Sequence, residues 1–251
     1  MIAALKNASS QAKAVEWNAY ARCYDLLCAI NPAYTELLEE FAAFIRKART
    51  SVGARILDLG GGTGNFFSYA LPAEIAKSSQ LIHLDSDARM IAIAEHKYQR
   101  RGINVRTITK DAGTQIFFAA SFDCIVSVNA IYAMPSPELI LRKTFHWLRP
   151  GGRLLLIDLG RTLDSADWRS FLLKANIRNL GLIPALRILL NEGRVIAKAN
   201  GRIARAQLNG TFWTHTTEEM RQTLEQIGYK VEEARQVYRG YCDLAVATKP
   251  A

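Results

Sequence analysis

Cysteine and histidine are scarce in this sequence and never stand in a metal-binding pattern. The four cysteines, Cys23, Cys28, Cys124 and Cys242, include no Cys-x-x-Cys pair, and the four histidines include no His-x-x-x-His spacing. Structural zinc sites need closely spaced pairs of such ligands. The sequence therefore predicts no metal site, and it excludes the disulfide framework that supports small secreted domains.

Long apolar runs, linkers and low-complexity tracts are also missing. No stretch of about 18 uncharged apolar residues is present to span a bilayer, and the opening Met-Ile-Ala-Ala-Leu-Lys is too short an apolar run for a secretory signal. The 251 residues, 49% of them hydrophobic, are enough to bury a full core. We therefore expect a cytoplasmic protein with one domain that carries an insertion.

Acidic residues are fewer than basic ones, because 23 Asp and Glu stand against 32 Lys and Arg, a formal net charge of +9. Residues 161–207 hold nine basic side chains and only three acidic ones. The nine are Arg161, Arg169, Lys174, Arg178, Arg187, Arg194, Lys198, Arg202 and Arg205. Such a segment favours an anionic partner, such as phosphate, a lipid head group or nucleic acid. It is equally typical of a solvated helical face.

Short apolar segments alternate with helix-length segments from Arg55 onward. Buried parallel strands have this continuous apolar character, and strand-helix alternation with short connections is typical of right-handed βαβ units. The predicted strands are 55–59, 80–84, 105–109, 122–128 and 153–159, and the predicted helices lie at about 63–77, 87–101, 112–119 and 136–148. The pattern predicts an α/β, doubly wound sheet that is mostly parallel.

Helical segments precede and follow this alternation. Residues 10–30 are helix-like, and Asn31-Pro32 predicts the start of a second helix. Residues 161–213 are mainly helical and form a candidate lid. Two β-rich segments, 230–237 and 241–248, predict a terminal antiparallel pair that brings the sheet to seven strands. We thus divide the chain into an N-terminal helical cover (1–50), a core (51–160), a helical lid (161–213) and a C-terminal helix and strand pair (214–251).

The segment from Ile56 to Phe66 is the most informative stretch of the chain, because a strand runs into four glycines and then into a predicted helix. Glycine tolerates positive φ and has no Cβ to block a ligand, and the N–H groups at a helix start face the same space. A tight turn accounts for one or two glycines but poorly for four. The dinucleotide pattern G-x-G-x-x-G fails, because its last glycine would fall on Asn65 or Phe67, and no Gly-Lys-Ser/Thr supports a P-loop.

The pattern Asp58-x-Gly60-x-Gly62-x-Gly64 resembles motif I of the class I S-adenosylmethionine-dependent methyltransferases. The resemblance continues in order along residues 55–160, through an acid that ends the second strand, a motif IV-like segment at 122–129 and the turn Leu148-Arg149-Pro150-Gly151-Gly152. The small-molecule and lipid branch, of the ubiquinone/menaquinone-biosynthesis type, is the most similar. Its N-terminal segment, which Tyr20 to Asp25 resembles, covers the cofactor.

This resemblance implies a Rossmann-like methyltransferase fold, S-adenosylmethionine as cofactor and S-adenosylhomocysteine as product. It implies that Asp85 binds both ribose hydroxyls, that Met90 packs on the adenine, and that Asp111 and the N–H of Ala112 bind the adenine edge. Core packing explains Met90 equally well, and a helix N-cap is the alternative for Asp111. The implied cofactor-binding residues are Tyr24, Asp58, Gly60, Gly61, Gly62, Gly64, Asp85, Ser86, Met90, Asp111, Ala112 and Asn129.

Methyl transfer from a sulfonium is an in-line displacement on an already activated donor, so the protein needs mainly to align the nucleophile and exclude water. Three residues are candidate bases by position: Tyr132 after the fourth strand, Asp158 at the end of the fifth and His215 before the last helix. Each has a structural alternative as pocket wall, strand-end hydrogen-bond acceptor or helix-start residue. Relatives with a Leu-His-His tripeptide after motif IV differ here, because this chain has Ile131-Tyr132-Ala133.

Three hypotheses for the function follow. The first is a methyltransferase for a small, aromatic or hydrophobic metabolite, with Trp168, Phe212 and Trp213 as candidate pocket residues. The second is a phospholipid or quinone methyltransferase whose basic lid touches an anionic membrane as a peripheral protein. The third is a nucleic acid methyltransferase or a non-catalytic cofactor-binding module, and the lack of an Asn-Pro-Pro-Tyr-type motif weighs against nucleic acid as a substrate.

Overall fold

A computed structural model describes residues 17–48 and 52–251. Its seven-stranded sheet has the order β3-β2-β1-β4-β5-β7-β6. The strands are β1 Arg55–Leu59, β2 Gln80–Asp85, β3 Val105–Thr109, β4 Phe122–Val128, β5 Leu148–Leu159, β6 Lys230–Val237 and β7 Cys242–Thr248. β1 to β5 pair in parallel, whereas β7 pairs antiparallel with both β5 and β6. The predicted fold class is confirmed.

The helices begin and end largely where local signals in the sequence place them. Asn31 accepts a hydrogen bond from the N–H of Ala33, Gly102 ends a helix at φ 65°, and Thr216 and Glu219 form a reciprocal capping box. The helices are α1 Trp17–Ile30, α2 Pro32–Lys47, α3 Ala73–Ser78, α4 Ala88–Arg101, α5 Pro137–Trp147, α6 Ser165–Leu180, α7 Leu182–Asn191, α8 Gly193–Leu208 and α9 Thr217–Ile227. The predicted helical residues 10–16 lie outside the described portion of the chain.

Three sequence-based predictions of elements were wrong in detail. The helix expected over 63–77 is instead a π-helical turn, Phe66–Ala70, followed by α3, because Pro72 keeps Leu71 out of the helical region. Residues 112–119 are not helical. The fifth strand starts at Leu148, since the expected turn at 149–152 lies inside β5 as an irregularity in its pairing with β4.

The sheet has a hydrophobic core on each face. Helices α2, α4 and the lid helices α6 and α8 pack on one face, where Leu37, Phe41 and Ile45 are fully buried. Helices α5 and α9 pack on the other face. Burying each such side chain contributes about 1.5–3 kcal/mol, so the helices are held against the sheet mainly by these contacts.

This arrangement determines where a ligand site can form. The chain runs from β1 outward through β2 and β3, then returns to β4 on the other side of β1. The crevice outside the carboxyl ends of the strands at such a reversal is the usual binding place in open α/β sheets. None of the helices among the described residues is long and apolar enough to cross a membrane.

Candidate functional site

A cavity of about 980 Å³ lies at the carboxyl ends of the parallel strands. Its walls include the glycine segment after β1, Asp85 to Asp87 after β2, residues 110–114 after β3, and residues 128–130 and 132–136 at and after the end of β4. Side chains of α1, α2 and the lid helices complete the walls. The cavity therefore stands where the topology places a ligand site, and it joins the core to the lid.

The four glycines after β1 have different roles. A Cβ on Gly61 would stand 2.5 Å from Asp58 Oδ2, and one on Gly64 would stand 2.5 Å from the Tyr98 hydroxyl, so close packing requires glycine at both positions. Gly62 has φ 56°, and a Cβ there would meet nothing within 4 Å. Gly60, Gly61 and Gly62 line the cavity. Gly64, which was predicted to contact the cofactor, is not in its lining and faces α4 instead.

Asp85 joins the end of β2 to the glycine segment. Its Oδ2 accepts a hydrogen bond from the N–H of Gly62 at 2.9 Å, and its Oδ1 accepts one from the N–H of Asp87 at 2.9 Å. Burial raises the pKa of Asp85, although the bonds from Asp87 and Gly62 act in the opposite direction. The carboxylate lines the cavity, and each oxygen has remaining acceptor capacity for a ligand.

Asp58 is a buried carboxylate without a matching cation among the described residues. Its Oδ2 has no hydrogen-bond partner there, and burial together with the charge of Asp85 raises the pKa of Asp58 to about 7. The neighbouring His83 holds Nδ1 3.8 Å from this oxygen and 2.7 Å from the Tyr98 hydroxyl. Because burial lowers the pKa of His83 to about 4, His83 is neutral and does not compensate the charge.

The segment after β3 lines the cavity through an irregular turn. Asp111 Oδ1 accepts hydrogen bonds from the N–H groups of Gly113 at 2.8 Å and Thr114 at 3.3 Å, so one of its oxygens caps this turn. Lys143 from α5 donates to the carbonyls of Ala112 and Gly113 and holds the turn in place. The adenine-binding roles of Asp111 and Ala112 stay predictions, as do those of Ser86 and the buried Met90, all of which line the cavity.

The residues after β4 form the opposite wall. Asn129 takes the left-handed conformation at φ 52°, and its Oδ1 accepts a hydrogen bond from the thiol of Cys242 at 3.2 Å. Tyr132 is buried, lines the cavity and packs edge-on against Phe212, with ring centroids 5.4 Å apart. Tyr132 is the one of the three candidate bases that reaches the cavity.

Asp158 and His215 do not line the cavity, so their roles as bases stay predictions that this geometry does not favour. Asp158 is fully buried, and its two oxygens accept hydrogen bonds from the N–H groups of Ala130 and Tyr132, both at 2.9 Å. His215 is buried with Nδ1 3.1 Å from Asp243 Oδ2, and its ring lies 4.3 Å from that of Trp213. Asp158 therefore holds the turn after β4, whereas His215 lies against Asp243.

The N-terminal helix α1 covers the cavity and is attached to the glycine segment. Tyr24, predicted to lie against the cofactor, lines the cavity. Asp25 Oδ1 accepts hydrogen bonds from Thr63 Oγ1 and Lys97 Nζ, both at 2.7 Å, and Lys97 also donates to Asn65 Oδ1 at 2.6 Å. We refer to the contacts among Asp25, Thr63, Lys97 and Asn65 as the α1 latch.

The lid supplies a wall that the sequence did not reveal, apart from Trp168. Leu163, Leu172, Asn200 and Ile203 line the cavity beside Trp168. The Trp168 ring packs on Tyr238 at 4.7 Å, and its Nε1 has no hydrogen-bond partner in the described residues. Phe212 and Trp213, the other predicted pocket aromatics, are absent from the lining. The spacing of apolar residues in the lid helices indicates that they have apolar faces. It does not indicate which of these faces lines the cavity.

Comparison with known proteins agrees with this geometry. Residues 56–152 match the family described as "Methyltransferase domain". The ubiquinone/menaquinone biosynthesis C-methyltransferase UbiE of Cellvibrio japonicus is 31% identical over 119 residues, which are 47% of this chain and 47% of that protein. The chain therefore matches a little under half the length of such curated relatives.

Solved structures resemble a larger share of the chain. A SAM-dependent methyltransferase from Aquifex aeolicus is similar with a TM-score of 0.57 at 16% identity, over 87% of this chain and 94% of that one. The CurJ carbon methyltransferase is similar with a TM-score of 0.61 at 20% identity, over 88% of this chain and 56% of that one. At these identities the similarity shows the fold.

Residues 56–152 thus match a methyltransferase domain, in agreement with the class I S-adenosylmethionine-dependent family that motif I predicted, and S-adenosylmethionine is the cofactor of that family. The cavity fits this cofactor. The uncompensated carboxylate of Asp58 suits a ligand that carries an ammonium and a sulfonium, since a buried charge is costly unless it is paired. The open space at Gly62 lets a ligand approach the backbone.

Proposed function

We propose that this chain is a methyltransferase that moves the sulfonium methyl of S-adenosylmethionine to an O, N or C nucleophile of a small hydrophobic or aromatic acceptor. One observation carries the proposal: a single cavity joins the glycine segment and Asp85 to an apolar wall of Trp168, Leu172 and Ile203. A cofactor and an acceptor bound in one cavity would have their reacting atoms side by side, as in-line displacement requires.

Residues of the core would hold the cofactor. Asp85 offers carboxylate oxygens to ribose hydroxyls, and Asp58 supplies the negative charge that balances the cationic end of the ligand. When bound, the cofactor supplies a methyl group that is already activated by its attachment to a sulfonium. The chain itself contributes alignment and exclusion of water, because α1 and the lid close the cavity from two sides.

The lid wall supports an acceptor that is mainly apolar with one polar contact. Apolar and aromatic side chains dominate this wall, and the Trp168 indole N–H is a donor that still needs an acceptor. Asp158 and His215 are outside the cavity, which favours a nucleophile that needs little help from a base, such as a phenolate or an enolate. Tyr132 stays the candidate for a weak acid-base role.

A second and more specific candidate is carbon methylation of a quinone-type precursor. The relatives that match at 31% identity are described as ubiquinone/menaquinone biosynthesis C-methyltransferases. An enolate or phenolate ring carbon is an activated nucleophile, in agreement with a cavity that lacks Asp158 and His215 as bases. The hydrophobic lid wall suits such a ring.

Incubation with methyl-labelled S-adenosylmethionine and fractionated cell extract tests these candidates. Metabolite, lipid, protein and nucleic acid fractions are assayed separately, with Asp85→Ala as the inactive control. Label in a metabolite fraction is expected, and label in a quinone-like component of the lipid fraction would favour the second candidate. Label in nucleic acid would contradict both. Binding without transfer to any fraction would favour a non-catalytic module.

A further inference from the structure

The lid presents aliphatic side chains to solvent on the side away from the cavity. Helix α7 packs on α6 and α8 and buries Ala185, while Leu182, Ile183, Leu186 and Leu190 are 57%, 67%, 40% and 73% exposed. The spacing of four residues places Leu182, Leu186 and Leu190 on one stripe. Together with the exposed Ile177 and Leu180 at the end of α6, these side chains form what we call the outer lid face.

Basic side chains surround the outer lid face, and acidic ones are nearly absent. Arg178, Arg187 and Arg194 are exposed on α6, α7 and α8, and Arg187 follows Ile183 by one helical turn. Residues 165–208 hold two acidic side chains, and one of them, Asp167, is already paired with Arg239 through two hydrogen bonds of 2.9 and 3.0 Å. The lid therefore combines exposed aliphatic groups with a positive surplus.

We propose that the outer lid face docks on the surface of an anionic phospholipid bilayer, with α7 lying in the plane of the interface. A helix with a wide aliphatic stripe and flanking Arg or Lys binds such a surface by burying the stripe below the head groups while its cations pair with phosphates. The length of α7, 10 residues, suits a helix that lies on the bilayer rather than one that crosses it.

Charge complementarity favours lipid over other partners of this face. A second copy of the chain, docked by the same face, would bring Arg187 and Arg194 of each copy toward those of the other. Nucleic acid would pair with the basic side chains but would leave Leu182, Leu186 and Leu190 in water. An anionic lipid surface would both bury the aliphatic side chains of the outer lid face and pair with its basic side chains.

The opposite side of the lid lines the cavity with Trp168, Leu172 and Ile203. Docking would thus place the lid between the bilayer and the cavity, so that an acceptor dissolved in the membrane would have a short path inward. This consequence rests on the proposed function, whereas docking itself does not depend on methyl transfer.

Vesicle flotation of the full chain tests the docking. Vesicles of equal parts phosphatidylglycerol and phosphatidylcholine are compared with vesicles of phosphatidylcholine alone. We expect flotation with the anionic vesicles, weaker flotation with the neutral ones and a decrease as ionic strength rises. Binding of S-adenosylhomocysteine is measured on the same preparations, so that failure of docking can be distinguished from failure of the proposed function.

Two double variants separate the apolar and the basic components. Ile183→Ser with Leu190→Ser, and Arg187→Glu with Arg194→Glu, are each expected to weaken vesicle binding by at least about tenfold. Matched controls carry the same kinds of change elsewhere: Ile116→Ser with Phe118→Ser, on the exposed segment before β4, and Arg100→Glu with Arg106→Glu, on α4 and β3. The controls are expected to float like the wild type.

Several results would overturn the docking proposal. Absence of flotation, equal flotation with neutral vesicles, or equal loss in the control variants would each do so. A dimer in solution that Ile183→Ser with Leu190→Ser dissociates would show that a second copy covers the outer lid face. A gel shift with RNA that the two lid variants abolish, without any vesicle binding, would assign the face to nucleic acid.

Discussion

At the scale of single residues, Asp58 has the most unusual environment near the cavity. Its carboxylate is buried beside Asp85, and the neutral His83 offers no positive charge. The sequence predicted Asp58 as a member of motif I, but it did not predict that the carboxylate has no positive charge beside it. His83 comes from another strand, and whether His83 is protonated depends on its burial. Because the pKa of Asp58 is raised, binding of a positively charged ligand should change the protonation of this residue.

Binding of S-adenosylhomocysteine, which carries an ammonium, is expected to release protons below pH 7. In the free protein the pKa of Asp58 is about 7, so a large share of its carboxyl groups is protonated below pH 7. A cationic ligand stabilises the charged carboxylate and therefore displaces this proton. Affinity should therefore rise with pH toward 7 and level off above it. Calorimetry in buffers of different ionisation enthalpy measures this proton release. Asp58→Asn should abolish the pH dependence, and proton uptake by the wild type would contradict the assignment.

The glycines and the candidate bases show what the sequence could and could not predict at this scale. The sequence does not distinguish the four glycines. The structure does, because Tyr98 packs against Gly64, whereas the space beside Gly62 is open. Asp158 alternates with Ile157 and Leu159, which belong to the core on the α2 side, so Asp158 points to the other face. The face of the sheet to which a side chain at a strand end points depends on the register of that strand. The spacing of residues in the sequence does not give this register.

At the scale of elements, the turn after β4 is held by Asp158 rather than by the local sequence. The 3₁₀ turn Ile131–Ala133 carries Tyr132 into the cavity wall, and the carboxyl group of Asp158 accepts hydrogen bonds from N–H groups on both sides of Ile131. Burial raises the pKa of Asp158, although these bonds act against the rise.

Asp158→Ala is expected to lower the free energy of unfolding by about 2–4 kcal/mol, because it leaves buried N–H groups without acceptors. Asp164→Ala is the matched control, since Asp164 also accepts from two backbone N–H groups, but as an exposed N-cap whose loss costs about 1 kcal/mol. Urea unfolding measures both. A variant that stays as stable as the wild type while turnover disappears would restore Asp158 as a base.

The α1 latch is the second element-scale feature, and it explains how a separate helix is positioned over the cavity. Asp25→Ala removes the hydrogen bonds from Thr63 and Lys97. We expect S-adenosylhomocysteine to bind about five- to thirtyfold more weakly, because charge-assisted hydrogen bonds of this kind contribute on the order of 1–2 kcal/mol.

Calorimetry and hydrogen exchange test the latch together. Exchange should become faster in α1 and remain unchanged in the sheet. Glu39→Ala removes an exposed carboxylate from the adjacent helix α2 and is expected to bind like the wild type. Equal binding by the Asp25 and Glu39 variants, with unchanged exchange in α1, would show that the latch does not hold the cover.

At the scale of the whole molecule, strand-helix alternation was sufficient to predict the doubly wound sheet, and the two β-rich segments near residue 240 predicted its terminal antiparallel pair. The failure at 112–119 has a physical cause: Ile116 and Phe118 are exposed, so the apolar spacing there did not reflect a buried helix face. The inner wall of the lid also escaped prediction, because it depends on how α6, α7 and α8 fold back on the core. The local sequence of these helices does not predict how they pack on the core.

Calorimetric titration of S-adenosylhomocysteine into the wild type and Asp85→Ala shows whether this cavity is a cofactor site, on which the proposed function depends. Thr216→Ala, which removes the N-cap of α9 outside the cavity lining, controls for lost stability. We predict binding at one site in the wild type and in the Thr216 variant, and loss of binding in a folded Asp85→Ala. No binding by the wild type, or equal affinity in all three proteins, would contradict the assignment of the cavity.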